Sequence, residues 1–218
     1  MISHLATFEV YSHEFDEVRR IDLVEDLEEK HLEFVKREWT PRLADRRARA
    51  VIAYRALPTK KQHEQAWQEK QGRFGAPDSH WDWSYKKHSM LGSAHRIFAL
   101  LDGEAVEALM RIDLSKPSRI QPTPYTPVVY VDYLAVAPWN RPPIQSPPRF
   151  KGFGRLFLGA AVSISVEEGM DGRCGLHSLM QSEGFYLRVG MEDLGVDAAS
   201  GLKYFEFSPD AARKFLET

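Results

Sequence analysis

The chain has 218 residues, of which 43% are hydrophobic and 28% charged, with a formal net charge of −2. A chain of this length buries roughly 70% of the surface that its unfolded form exposes, so it needs no disulfide or metal to hold a core, and it fits one domain better than two. One cysteine, Cys174, excludes intramolecular disulfides and thiolate metal clusters, and the near-neutral balance gives no whole-chain attraction for nucleic acid.

No segment approaches the ~18 apolar residues of a membrane span, and the first residues lack the basic start and apolar run of a signal peptide. The expectation is a cytoplasmic protein with a small-molecule ligand and no membrane partner.

The first half of the chain reads as helical. Acidic residues gather between Glu14 and Glu33; Lys36, Arg37, Arg42, Arg46, Arg47 and Arg49 follow, with Leu23, Leu27, Leu32, Val35 and Leu43 at helical spacings among them. Pro41 is expected to break or restart this helix. A second helix is predicted over about 60–71. A third begins near Asp78 or Ser79, whose side chains can cap a turn containing Trp81, Trp83 and Tyr85.

From Arg96 the pattern changes. Two apolar runs, 96–101 and 104–112, flank Asp102-Gly103 and predict a hairpin. After four prolines (Pro117, Pro122, Pro124, Pro127) comes a β-branched and aromatic run, 128–136, with the composition of a central strand ended by Pro138. A proline-rich loop then leads to a helix over 154–168 stopped by Gly169, a strand over 174–179, a helix over 182–189 and a last strand over 202–207. This is a mixed α/β order with a helical N-terminal part to about residue 90 and a core over 96–207.

The chemically informative segment is Arg149-Phe150-Lys151-Gly152-Phe153-Gly154, between a strand and a helix. Glycines there let the backbone approach a ligand, and the free amides of a helix start favour phosphate. The segment lacks the lysine and hydroxyl ending of a nucleotide-hydrolysing loop and the spacing of a dinucleotide fingerprint. Histidines 80, 88 and 95 with Asp78 and Asp82 have no close helical pairing of the kind that holds zinc, so no metal is expected.

The strand ending Val131-Asp132-Tyr133-Leu134-Ala135-Val136, the turn with arginine and two glycines at 149–154, the strand at 174–179 and the segment from Gly184 through Tyr186 to Gly190 come in a fixed order. Together they resemble the GCN5-related N-acetyltransferases, the GNAT superfamily, over about residues 96–207. The resemblance implies a mixed sheet with a V-shaped splay between two central parallel strands, 128–136 and 174–179, and acetyl-CoA as co-substrate.

It implies further that Leu134, Ala135 and Val136 offer backbone groups to the pantetheine arm. The amides of Phe150, Lys151, Gly152, Phe153, Gly154 and Arg155 would bind the pyrophosphate, with Arg149, Lys151 and Arg155 adding positive charge. Tyr186 falls where the family protonates the leaving thiolate, and Asp132 falls where it places a general base, with Glu183 as the rival. Trp81, Trp83 and His177 are candidates for the acceptor side, and Trp139 could also wall that pocket.

The activity implied is acetyl transfer to a small-molecule or peptide amine by direct attack in a ternary complex. The alternatives are an acyl-CoA-binding module without turnover and an enzyme acting on a protein N-terminus or aminoacyl-tRNA. A homodimer is compatible with the reading.

Overall fold

The computed structural model describes residues 2–89, 92–122 and 124–218. These form two compact units, one made of segments within 1–90, 97–109 and 135–153, the other within 91–96, 110–134 and 154–218.

The first unit opens with a hairpin, β1 (Ser3–Ser12) and β2 (Glu17–Glu25), paired antiparallel from Ser3↔Glu25 to Ser12↔Glu17. The expectation of an all-helical first half is therefore corrected. Ala6, Phe8 and Val10 are half-buried between exposed neighbours, and Ile21 and Leu23 are buried two apart, which is a strand period. The charges interleaved with them belong to the solvent side of a sheet, so they read as a helix face only when the alternation is overlooked.

Helix α1 (Glu29–Arg55) follows and runs unbroken through Pro41. The break expected at the proline does not occur. The buried stripe His31, Leu32, Val35, Trp39, Leu43 continues across it, while Pro41 itself is exposed, so the missing backbone bond faces water. The indole of Trp39 donates to the Val106 carbonyl at 3.1 Å and fixes the helix on the sheet. Two shorter helices, α2 (Glu64–Arg73) and α3 (Trp83–His88), pack on α1, and the Asp82 carboxylate caps α3 by accepting from the Tyr85 amide at 3.0 Å.

β3 (His95–Asp102) and β4 (Ala105–Pro117) form the predicted hairpin around Gly103, whose φ of 59° lies in the left-handed region. The strand order in the first unit is β1-β2-β3-β4.

The second unit holds the end of β4, β5 (Pro127–Val136) as far as Leu134, α4 (Phe153–Glu167) from Gly154, then β6 (Cys174–Ser178), α5 (Glu183–Arg188), β7 (Glu192–Val196), β8 (Lys203–Phe207) and α6 (Pro209–Leu216), with strand order β4-β5-β6-β8-β7. β7 was not foreseen because it is exposed throughout and carries no apolar period; it lies at the sheet edge.

β5 and β6 are parallel and paired only over Val129↔Cys174, Tyr130↔Gly175 and Val131↔Leu176. Both strands run on beyond that ladder, which is the splay expected of the fold. β6 then pairs antiparallel with β8, from Cys174↔Phe207 to Ser178↔Lys203, so the sheet is mixed. On α4, Phe157, Leu158, Ala161, Val162 and Ser165 are buried at helical spacing. No helix among the described residues is long and apolar enough to cross a membrane.

Arg141 and Asp78 make a buried ion pair in the first unit: the guanidinium reaches Asp78 Oδ1 at 2.5 Å and Oδ2 at 2.8 Å, and donates to the Gly75 and Val136 carbonyls. Asp78→Ala strands this charge, and should lower the unfolding free energy by about 3–5 kcal/mol. The reading is a lower urea midpoint at unchanged slope; a loss below about 1 kcal/mol would give the pair only the weight of a surface contact.

Candidate functional site

The turn before α4 is built on a buried carboxylate. Glu107 on β4 is fully buried, and its Oε2 accepts from Trp139 Nε1 and from Asn140 Nδ2, each at 2.6 Å, while Oε1 faces Arg149 Nη1 at 3.1 Å. Burial outweighs these donors and pushes the Glu107 carboxyl above its ordinary value. Asn140 Oδ1 in turn accepts the Phe150 amide at 2.9 Å, and the Trp139 carbonyl accepts the Arg149 amide at 3.0 Å. The rings of Phe150 and Phe153, both buried, lie 5.3 Å apart and anchor the turn at each end.

Between them Lys151 and Gly152 are exposed. Gly152 has φ of 89° and open space where a Cβ would stand. Among the described residues, the amides of Lys151 to Arg155 meet no acceptor outside α4, and those of Phe153 to Arg155 belong to its first turn, whose amides have no carbonyl before them in the helix. Five consecutive donors at a helix start are the arrangement that an anion-binding turn requires.

The cations expected to assist are mostly committed elsewhere. Arg149 pairs with Glu14 and Glu107, its guanidinium 4.9 Å over the Trp139 ring. Arg155 donates to the Phe215 carbonyl at 3.1 Å and to Thr218 Oγ1 at 2.6 Å. Lys151 has no partner among the described residues. At the strand end, the Val136 carbonyl accepts from Arg141 Nε and Nη2, and Ala135 is buried, so the backbone open to a ligand there narrows toward Leu134, which is half-buried.

In the second unit, Tyr186 on α5 is buried, its ring packed on Phe185 and Phe205. Its hydroxyl has no hydrogen-bond partner among the described residues, yet it is not one of the fully enclosed orphan atoms, a condition met only by Ser79 Oγ. Burial raises the Tyr186 phenol well above its ordinary range, so it holds its proton at neutral pH. The start of α4 lies close by in the same unit: a Cβ on Gly154 would stand 3.5 Å from the Phe185 ring, an ordinary contact.

The two carboxylates singled out as bases are both paired. Asp132 Oδ2 accepts from Arg111 Nε at 3.1 Å and Nη2 at 2.7 Å, and Glu183 lies 3.1 Å from Lys203 Nζ. The ligating atoms of His95, Asp113 and Asp132 lie within 4.8 Å of one another, but Arg111 and Lys116 already supply positive charge to those carboxylates. Cys174 is fully buried, its thiol pushed up to about 12 by burial, as suits a small apolar core residue.

On the proposed acceptor side, Trp83 is buried at the start of α3 and belongs to the core, whereas Trp81 is half-buried with Lys86 Nζ 5.1 Å over its ring. Trp139 is buried and turned to Glu107. His177 is half-buried, with Tyr130 on one ring nitrogen and Asp197 on the other. Tyr130, Asp197, Arg119 and Glu107 were not singled out from the sequence; Tyr130 could have been, because it stands two residues before Asp132 on a strand and so shares its face.

No protein-family model matches the chain, and no curated protein matches its sequence. Among solved structures, the chain is similar to PaiA N-acetyltransferase from Thermoplasma acidophilum in complex with coenzyme A, at 10% identity and a TM-score of 0.45, over 85% of this chain and 97% of that one. It is similar to an acetyltransferase described as of the GNAT family from Desulfovibrio desulfuricans, at 12% identity and a TM-score of 0.46, over 85% and 96%. A third is the AtaT toxin bound to the C-terminus of the antitoxin AtaR and acetyl-CoA, at 14% identity and a TM-score of 0.44, over 67% and 85%.

The raised carboxyl of Glu107 has a signed consequence. The native state holds this proton above the ordinary glutamate value of 4.5, where the unfolded chain has lost it. Its contribution to stability is therefore present below that value and lost as pH rises through the native one. Urea unfolding of wild type and Glu107→Gln from pH 4.5 to 8 should give a difference that moves against wild type as pH rises; a flat difference would mean that the carboxyl titrates alike in both states.

Proposed function

We propose that this chain is an acetyl-CoA-dependent N-acetyltransferase that passes the acetyl group directly to an amine. The observation that carries the reading is the turn Phe150 to Arg155: five unpaired amides, a left-handed glycine with open space above it and a helix start, in a chain whose next strand is parallel to the previous one and splays from it. Such a turn recognises a pyrophosphate by fixed backbone dipoles, and Lys151 is the one cation beside it with no other partner among the described residues.

Tyr186 is the proposed acid. A phenol that stays protonated and has an unengaged hydroxyl can deliver its proton to the departing thiolate, so placement matters more than acidity. Leu134, near the end of β5, remains the proposed contact for the pantetheine arm.

The reading as an acyl-CoA-binding module without turnover is favoured by the pairing of both Asp132 and Glu183. Thiol release from acetyl-CoA with a panel of amines separates the two. A macromolecular acceptor is less supported than its sequence suggested, because in the basic stretch of α1 Arg37 and Arg42 pair with Glu38 and Arg49 pairs with Asp45.

Two outcomes test the proposal. Gly154→Val, placed where only Phe185 is in contact distance, should keep the fold and weaken acetyl-CoA binding at least tenfold by calorimetry; unchanged affinity would remove the turn from the site. Tyr186→Phe should lower turnover by roughly 10²–10⁴-fold with acetyl-CoA affinity kept, and wild-type turnover would exclude the acid role.

A further inference from the structure

Strand alternation in the second unit sorts the side chains into two sets. The registers Tyr130↔Gly175 and His177↔Tyr204 put Tyr130, Asp132, Gly175, His177, Tyr204 and Glu206 on one face of the sheet. Val129, Val131, Cys174, Leu176, Phe205 and Phe207 fall on the other, and all are buried. Tyr186 packs on Phe205 and so belongs to that apolar face. The opposite face carries the ionisable groups, and the proposed acid is not among them.

On that polar face, three side chains form a hydrogen-bonded line at the point where the parallel ladder ends. Tyr130 Oη lies 2.6 Å from His177 Nδ1, and His177 Nε2 lies 3.2 Å from Asp197 Oδ2. The tautomer that bonds both neighbours carries its hydrogen on Nε2, toward the Asp197 carboxylate, and accepts at Nδ1 from the Tyr130 hydroxyl; Arg119 Nη2, 3.4 Å from Nε2, then serves Asp197 and not the imidazole. The line is held from several elements. Arg119 Nη2 donates to the same Asp197 oxygen at 2.5 Å, and the Ala199 and Ser200 amides donate to the other.

The Arg119 guanidinium lies 4.1 Å over Tyr204, whose ring is parallel to that of Tyr130. Gly175 makes this stack fit, because a Cβ there would fall 2.2 Å from the Tyr204 hydroxyl. The groups facing His177 are thus Tyr130 from β5, Tyr204 from β8, Asp197 after β7 and Arg119 after β4, with Asp132 acting on Tyr130 along its own strand.

We propose that Tyr130, His177 and Asp197 form a proton relay that takes the proton from a protonated amine acceptor approaching this face. The inference rests on the acetyl-transfer reading above and names the base that neither Asp132 nor Glu183 is free to be. The ammonium N–H bond breaks, its proton goes to Tyr130 Oη, and the Tyr130 proton passes to His177 Nδ1. The imidazolium formed is held by Asp197, and it later returns the proton to solvent by the same route.

The electron pair left on nitrogen forms the C–N bond, and the C–S pair leaves with sulfur. The second proton lost by nitrogen replaces, through water, the one that Tyr186 gives to the thiolate, so one proton is released per turnover. Burial pushes the Tyr130 phenol up to about 12, which suits a group that hands a proton on rather than one that stands ionised. Acid and relay fall on opposite faces of the sheet, which gives the amine and the thiol separate routes at the splay.

The test uses the full chain, acetyl-CoA and thiol release with two kinds of probe. One is a set of primary alkylamines (a polyamine, an aminoglycoside, a tetrapeptide with a free N-terminus), charged at neutral pH; the other is aromatic amines, which are neutral there. Tyr130→Phe should lower kcat/KM for the alkylamines roughly 10²-fold or more, with acetyl-CoA affinity kept, and the deficit should shrink as pH rises toward the acceptor's own titration. With the aromatic amines the variant should match wild type, because a neutral amine needs no base before attack.

Asp197→Asn, which keeps an acceptor for the imidazole, should show the same pattern at smaller amplitude and serves where Tyr130→Phe lowers the melting temperature. Wild-type rates with alkylamines in both variants, or equal losses for alkyl and aromatic acceptors, would overturn the relay alone. A wild-type chain that neither binds acetyl-CoA by calorimetry nor releases thiol with any probe would overturn the acetyl-transfer reading, and the relay with it.

Discussion

Glu107 sits fully buried on β4, and a carboxylate in that position must be supplied with donors or give up its charge. The first unit supplies them from one short stretch of chain: the indole of Trp139, the amide of Asn140 and the guanidinium of Arg149. Those three residues bracket the proline-rich loop, so meeting the needs of one carboxylate fixes both ends of that loop. The same arrangement commits the Phe150 amide to Asn140 and leaves the next five amides to whatever binds the turn. The anion site of the proposed function is thus a by-product of how a buried charge is satisfied.

The electrostatics of that turn differ from what its residue types suggest. Arg149, Lys151 and Arg155 read as three phosphate-seeking cations, but two are neutralised or hydrogen-bonded within the protein. Under the proposed function, attraction for a pyrophosphate would rest on oriented backbone dipoles, which are fixed by the fold and lose no side-chain entropy on binding. The basic stretch of α1 shows the same reassignment, its arginines pairing with acids one or four positions away on the same helix.

In the second unit the pleat of the sheet divides the chemistry. Alternation puts phenol, imidazole and carboxylates on one face and a closed apolar layer on the other, and a register slip of one residue would exchange them. Gly175 is the point on which this depends most, since any side chain there would collide with Tyr204 and displace the stack that holds Arg119 and, through it, Asp197.

From Arg96 onward, the edge strand β7 apart, local sequence determined the elements. The hairpin around Gly103, the strand ending at Pro138, the helix stopped by Gly169 and the strands at 174 and 203 follow from period, turn residues and terminators, which act within a few positions. The segment 149–155 was legible as a glycine-bearing turn into a helix for the same reason. Only the tertiary structure decided the rest. The N-terminal hairpin carries its period in half-buried residues that mean little until β3 pairs with β2, and α1 passes Pro41 because a buried stripe on its far side outweighs one missing bond. That Asp132 meets Arg111 while His177 meets both Tyr130 and Asp197 depends on contacts between residues 20 to 47 positions apart, and the partners of Arg149 and Arg155 lie 42 to 135 positions away. Composition and spacing name the groups present; pairing at that distance is fixed by strand register, which no local pattern in the chain encodes.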